Sequence, residues 1–329
     1  MIAPITHDPL EAAHRLADGG IVAFPTETVY GLGAHAERAD AVRRIFAIKG
    51  RPAGHPLIVH GADGDVLDRY AGRICPDARA LADAFWPGPL TLVVPRAATV
   101  PDAVTGGLDT VGLRVPDQQL ARTMLAELGA GVAAPSANLF GRTSPTTAEH
   151  VRGDLGARID LILDGGPCTV GVESTILDLT GTAPTILRSG AVSPEAIAHV
   201  LGRPVVRTAA GPPRAPGMLA SHYAPQATVI LTAHNELTAR LAEFRGAGTR
   251  TAVIGTSDID AADDPEAIVL HPAGDRPEDF AHDLYRLLRE ADAAGAGAIV
   301  VVPPPGEGIA VAVRDRLSRA ARAGGPDGT

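Results

Sequence analysis

Four cations stand where this chain can aim them. Lys49 and Arg51 flank Gly50 and precede Pro52, so two positive charges share one short, stiff loop. Arg114 closes the run VGLR and Arg188 closes the run TILR. An arginine leaving the end of an apolar strand faces a cleft, where its planar fork can hold a phosphate or carboxylate through two hydrogen bonds. His60 ends another apolar run, and hydroxyls recur at the breaks between such runs: Thr26, Thr28, Thr110, Ser136, Ser144, Ser174 and Thr175. Taken singly, each arginine is most simply a solvated surface charge. As a set, cations and hydroxyls at strand ends describe a pocket for an anionic ligand.

Other chemistries lack their residues. There is no Gly-x-x-x-x-Gly-Lys-Ser/Thr loop, no His-Glu-x-x-His pair and no Gly-x-Ser-x-Gly elbow, which argues against a Walker-type nucleotide site, a zinc centre and a serine hydrolase. Ser136, in APSAN, reads as a hydrogen-bonding hydroxyl at a strand end and not as a nucleophile. Cys75 and Cys168 are too far apart for a Cys-x-x-Cys motif and read as free thiols in a reducing compartment.

The elements that must position these groups begin with Gly19–His60. Ile21–Phe24 reads as a buried strand that breaks at Pro25 into Thr26, Glu27, Thr28 and Tyr30, and Gly31 and Gly33 are expected to form a tight turn. Residues 36–49 read as a helix with Ala41, Val42, Ile45 and Ile48 on one stripe, followed by an extended run to His60. Further helices are expected over 8–18, 77–86, 118–129, 146–156 and 193–202, and strands over 90–95, 110–116, 131–138, 161–166, 174–179 and 184–190, with a loop over 98–109. Several strands follow one another without a helix between them. That favours an α/β fold built on a twisted, mixed-direction sheet with helices around it.

Residues 207–225, RTAAGPPRAPGMLASHYAP, are a linker by their prolines and glycines, yet a spacer has no need of Arg214, Met218, His222 and Tyr223. The expected organisation is a catalytic domain over 1–206, the linker folding back over it, and a second domain over 226–329. In the last, strands at 227–232, 250–258, 267–272 and 296–305 alternate with helices, giving a smaller, mostly parallel, Rossmann-like α/β sheet. It carries no Gly-x-Gly-x-x-Gly turn for a dinucleotide.

The bulk numbers agree with two globular domains: 329 residues, 45% apolar, only 3% aromatic. Lysine is nearly absent, the cations being almost all arginine. The net charge of -9 disfavours a protein that grips a nucleic-acid backbone. No charged-then-apolar leader opens the chain and no apolar run reaches about 18 residues, so a soluble, cytoplasmic protein is expected.

The motifs GIVAFPTETVYGLG, KGRPAGHPLIVH, FWPGPLTLVV, VGLRVPD, APSANLFGRTSPT, GVESTILDL, ILRSGAVS and PGMLASHYAP occur in that order. Together they resemble the two-domain, YrdC-like threonylcarbamoyl-AMP synthases. The resemblance is dense from residue 9 to 225 and weaker beyond. It implies a first domain with a concave, positively lined cavity, and a reaction in which L-threonine, bicarbonate and ATP give L-threonylcarbamoyladenylate and pyrophosphate. A separate transferase complex would then carry the threonylcarbamoyl group to the adenosine beside the anticodon of tRNA. By motif, the resemblance places Thr28, His60, Arg114, Ala134 (through its backbone) and Ser174 around threonine. It places Arg51, His55, Thr110, Ser136, Ser144, Arg188 and Tyr223 around ATP, with Lys49 joining Arg51 on the phosphates as the catalytic pair. His55 stands where some relatives have Asn, and Ser189 where many have Pro. Mg²⁺ is expected to arrive bridging the ATP phosphates, with no dedicated protein ligands assigned and Glu27 and Glu173 the nearby carboxylates. PGMLASHYAP is expected to close over the nucleotide and exclude water.

One alternative is a YrdC-like module that binds RNA without synthase activity; the acidic charge and the few aromatic stacking groups oppose it. Another is the carbamoyl-phosphate chemistry of hydrogenase-maturation relatives, whose extra zinc-finger region two cysteines cannot build.

Overall fold

The computed structural model describes residues 2–52, 54–207, 222–259, 264 and 266–323. Arg214, Met218 and most of the run PGMLASHYAP lie outside the described residues. The described chain divides into two compact units. Residues in 2–140, 144–169 and 173–207 form the first, and those in 141–143, 170–172 and 222–323 the second.

The first unit runs β1 (Ile5–Thr6), α1 (Pro9–Ala17), β2 (Val22–Phe24), β3 (Gly31–His35), α2 (Ala39–Lys49), β4 (Ile58–His60), α3 (Asp65–Tyr70), α4 (Pro76–Phe85), β5 (Leu90–Pro95), α5 (Asp102–Thr105), β6 (Thr110–Arg114), α6 (Gln119–Leu128), β7 (Val132–Ala134), α7 (Ala148–Leu155), β8 (Leu161–Leu163), β9 (Thr175–Asp178), β10 (Thr185–Arg188), α8 (Pro194–Leu201) and β11 (Val206–Arg207). Its strands form one 11-stranded sheet in the order β1-β8-β2-β3-β7-β4-β6-β5-β9-β10-β11. Directions are mixed: β4 runs parallel to β6 but antiparallel to β7, and β5 antiparallel to β6 but parallel to β9. Apolar side chains are buried in separate clusters. One gathers Ile45, Leu67, Leu81 and Leu113, another gathers Leu16 of α1 and Met124 of α6, and a smaller one gathers Ile58 of β4, Val93 of β5 and Ile176 of β9.

Local chemistry sets the helix ends. Asp8 caps α1 by accepting from Leu10 N at 2.9 Å, with Pro9 in the first turn, and Ser193 with Pro194 does the same for α8. Helix α2 stops at Gly50, whose φ of 65° is left-handed, and Arg51 N donates back to Phe46 O at 3.0 Å.

Two local expectations are corrected. Gly31 and Gly33 do not form a turn; they belong to strand β3, paired antiparallel with β2 through Phe24↔Gly31 and Val22↔Gly33. What they supply is room. A Cβ on Gly31 would lie 2.9 Å from the Phe24 ring, and one on Gly33 2.7 Å from Val132. The expected loop at 98–109 contains the short helix α5, begun at Pro101 and closed by left-handed Gly106.

The second unit contains β12 (Thr228–Leu231), α9 (Leu237–Gly246), β13 (Thr251–Ile254), β14 (Ile268–Leu270), α10 (Pro277–Ala293), β15 (Ala298–Val301) and α11 (Ile309–Ala323). Its four strands are all parallel, in the order β12-β15-β13-β14. Within this unit the short segment 141–143 is held by Ala224 N→Gly141 O at 2.9 Å and Arg289 Nη2→Thr143 O at 2.6 Å. Among the described residues no helix is long and apolar enough to cross a membrane.

Candidate active site

In the first unit, strand ends converge. β4 and β6 run side by side with His60 directly paired to Arg114, so their last residues sit one strand spacing apart. β5 starts beside β9, and the Thr91 and Ser174 hydroxyls meet at 2.8 Å. Arg188, ending β10, donates to Ser174 O through Nε and to Ser174 Oγ through Nη2, both at 3.1 Å. Next along, Ser144 Oγ donates to Glu173 Oε1 at 2.7 Å.

The four cations are not solvated. Lys49, Arg51, Arg114 and Arg188 are 3, 8, 4 and 6% exposed. Buried charge is tolerated only with partners. Lys49 Nζ donates to Ser136 O at 2.5 Å and to Asn138 O, with Asn138 Oδ1 at 3.5 Å. Asn138 Oδ1 also accepts from Ser136 Oγ at 2.5 Å. Arg51 donates to Pro56 O at 3.2 Å and lies 5.9 Å from the centre of the Phe140 ring, which His55 also approaches. Arg114 donates to Gly88 O at 3.3 Å and forms an ion pair with Glu27, Nη2 to Oε2, at 2.7 Å. Thr26 and Thr28 share a hydroxyl contact of 2.8 Å beside Glu27.

The surroundings shift protonation. Burial, reinforced by Arg51, pushes Lys49 well below the ordinary lysine value, with Asp154 opposing. Burial and then Arg114 lower His60 to about 3, so its imidazole, edge-on to Phe24, is neutral. Burial and Arg51 also lower His55. The buried Cys168 thiol lies close enough to Glu27 and Arg114 to feel both, and burial pushes it up, making it inert.

Most of the residues singled out from sequence are therefore gathered here: Thr28, Lys49, Arg51, His55, His60, Arg114, Ser136, Ser144, Ser174 and Arg188. Ala134 ends β7, paired with Ile58 of β4. Thr110 begins β6, the strand that pairs with β4, about 13 Å along the strand from Arg114 at the usual rise. Tyr223 belongs to the second unit, where it is buried at a left-handed φ of 67° with Arg316 over its ring at 5.2 Å. Sequence reasoning missed Asn138, Thr91 and Phe140. Asn138 was findable as an amide two residues after Ser136; an inward hydroxyl inside an apolar strand gives no such signal.

Comparison with known proteins bears on this arrangement. A family model described as telomere recombination, covering the Sua5, YciO and YrdC proteins, matches residues 14–190, and one described as threonylcarbamoyl-AMP synthase, C-terminal domain, matches 192–322. The chain belongs to the threonylcarbamoyl-AMP synthase family. The threonylcarbamoyl-AMP synthase of Pyrococcus abyssi is 41% identical over 94% of this chain and 92% of its own length, and that of Bacillus subtilis 40% over 96% and 94%. The crystal structure of the Pyrococcus abyssi Sua5 protein complexed with L-threonine superimposes with a TM-score of 0.91 at 39% identity, covering 98% of both chains. The two-domain α/β architecture of this synthase is thus that of its relatives. Among its described residues, no three His, Cys, Asp or Glu side chains are grouped to hold a metal ion.

Proposed function

We propose that this synthase makes L-threonylcarbamoyladenylate and pyrophosphate from L-threonine, bicarbonate and ATP at the strand-end site of its first unit. The observation that carries the reading is the burial of Lys49, Arg51, Arg114 and Arg188 among hydroxyls in a chain of net charge -9. Such a site has positive charge to offer an anion.

The chemistry asks for little else. Threonine's amino group, as the free amine, condenses with bicarbonate to give a carbamate and water. A carbamate oxygen then attacks the α-phosphorus and pyrophosphate departs. Holding the carbamate in line and neutralising the leaving group supply most of the barrier reduction. Arg114 takes the amino-acid carboxylate, with Thr28, Ser174, neutral His60 and the Ala134 backbone around the rest of the molecule. Lys49 and Arg51 take the phosphates, with Ser136, Ser144, Arg188, His55, Thr110 and Tyr223 as the wider nucleotide set. Mg²⁺ would arrive with the ATP and supply positive charge to its phosphates, with no protein ligand assigned to it.

The product is a mixed anhydride that must reach a tRNA-modifying transferase complex before water does. We place the enzyme in the cytoplasm, without stable nucleic-acid binding of its own. Incubation with ATP, bicarbonate and labelled threonine tests the reading. Pyrophosphate release that requires threonine, together with a labile labelled adenylate, is expected; ATP turnover indifferent to threonine overturns it.

A further inference from the structure

The side chains assigned above to threonine are one cation, a neutral imidazole and hydroxyls. None carries a negative charge to meet the ammonium of a free amino acid. Glu173 has Oε1 engaged by Ser144. Glu27 is different. It is 5% exposed, its Oε2 lies 2.7 Å from Arg114 Nη2, and neither of its oxygens receives an aligned hydrogen bond from any described residue. Arg114 Nη2 likewise donates no aligned bond. The pair is close but off-axis. An ionised carboxylate has about four acceptor positions, and burying it with none filled is costly. The arrangement is incomplete as it stands.

A zwitterion completes it. A free α-amino acid brings a carboxylate for Arg114 and an ammonium for Glu27, and adds no net charge to the buried pair. We propose that Glu27 and Arg114 together form a two-point charge template, with Glu27 binding the α-ammonium of the incoming amino acid. This deepens the threonine reading and rests on it. The template selects for an amine at the atom that must become the carbamate nitrogen. An α-hydroxy acid of the same shape leaves Glu27 unpaired, and sites built around a polar partner reject analogues that lack it. Glu27 is a substrate-binding residue here, and holding Arg114 in place is its second effect.

The test compares two ligands on the full-length protein by calorimetry: L-threonine, and the 2,3-dihydroxybutyrate of matching stereochemistry, in which the ammonium is replaced by hydroxyl. The wild type is expected to bind threonine at least about tenfold more tightly than the hydroxy acid. In Glu27→Gln the threonine affinity should fall by a similar factor of about ten and the preference should shrink to within about threefold. A wild type that binds both ligands equally overturns the proposal while leaving the threonine reading intact. So does a Glu27→Gln variant that binds threonine as tightly as wild type, or more tightly, since Glu27 would then be only a counter-ion competing with the substrate carboxylate. Failure of the wild type to bind threonine at all sinks the underlying reading as well. Should Glu27→Gln fail to fold, the wild-type comparison alone still decides.

Discussion

At the scale of single residues, the site is defined by burial that changes protonation. His60 takes up its proton near its ordinary 6.5 when unfolded but near 3 when folded. The unfolded chain therefore binds more protons between those values, and stability falls as pH drops through that window. The loss is about 2 kcal/mol at pH 5 and is absent above pH 6.5. His60→Gln should flatten the decline of the urea midpoint between pH 6.5 and 4 relative to wild type, and parallel curves would show that His60 is not the cause. Lys49 is displaced in the same direction, by burial and then by Arg51, and phosphates binding beside it would strengthen its hold on its proton. Arg51→Ala should depress ATP use. Arg114→Ala should chiefly raise the threonine requirement, and it should cost about 3–5 kcal/mol of stability by leaving Glu27 without its counter-charge; unchanged threonine dependence would remove Arg114 from that role. Arg114, Arg188 and His60 were legible in sequence because each ends an apolar run, and Lys49 and Arg51 because they flank Gly50 just before Pro52. The part played by Glu27 was not, since its partner lies 87 positions away and only the meeting of distant strand ends makes the pair.

At the scale of elements, helices and apolar strands were legible and glycine was the residue misjudged. Gly31 and Gly33 looked like turn-formers, yet neither has a positive φ; strand β3 needs them because the Phe24 ring and Val132 occupy the space a side chain would fill. A composition of Gly-Leu-Gly-Ala-His carries little strand propensity, so pairing with β2 and β7 decides the matter. Gly33→Ala should lower stability by about 1–3 kcal/mol through overpacking, measured as a shift in urea midpoint at unchanged slope. Gly190 is tighter still: a Cβ there would stand 2.2 Å from Thr175 N and 2.5 Å from Ser174 C. Gly190→Ala should displace the Ser174–Arg188 junction and weaken nucleotide binding as well as the fold. Binding that survives unaltered would mean the loop after β10 can give way without cost.

At the scale of the whole molecule, the periodicity of strands and helices revealed two α/β parts, a mixed sheet first and a parallel one second. It could not show that residues 141–143 and 170–172 belong with the second, because that membership depends on contacts such as Arg289 to Thr143 and not on local pattern. A chain ending at Val206 keeps the strands up to β10 and every candidate residue except Tyr223, while stripping 141–143 of its partners. That fragment is expected to fold and bind threonine, with a lower melting temperature and slower ATP turnover than the full chain; equal turnover would deny Tyr223 and the second unit any part in the reaction. The cation inventory has one more consequence. Lys49 is the only lysine in 329 residues, and it is the cation proposed above to meet the ATP phosphates. Growing the protein with nitrogen-15 lysine would put a single side-chain resonance in the entire spectrum, and that one signal would report nucleotide occupancy in real time without any mutation or dye.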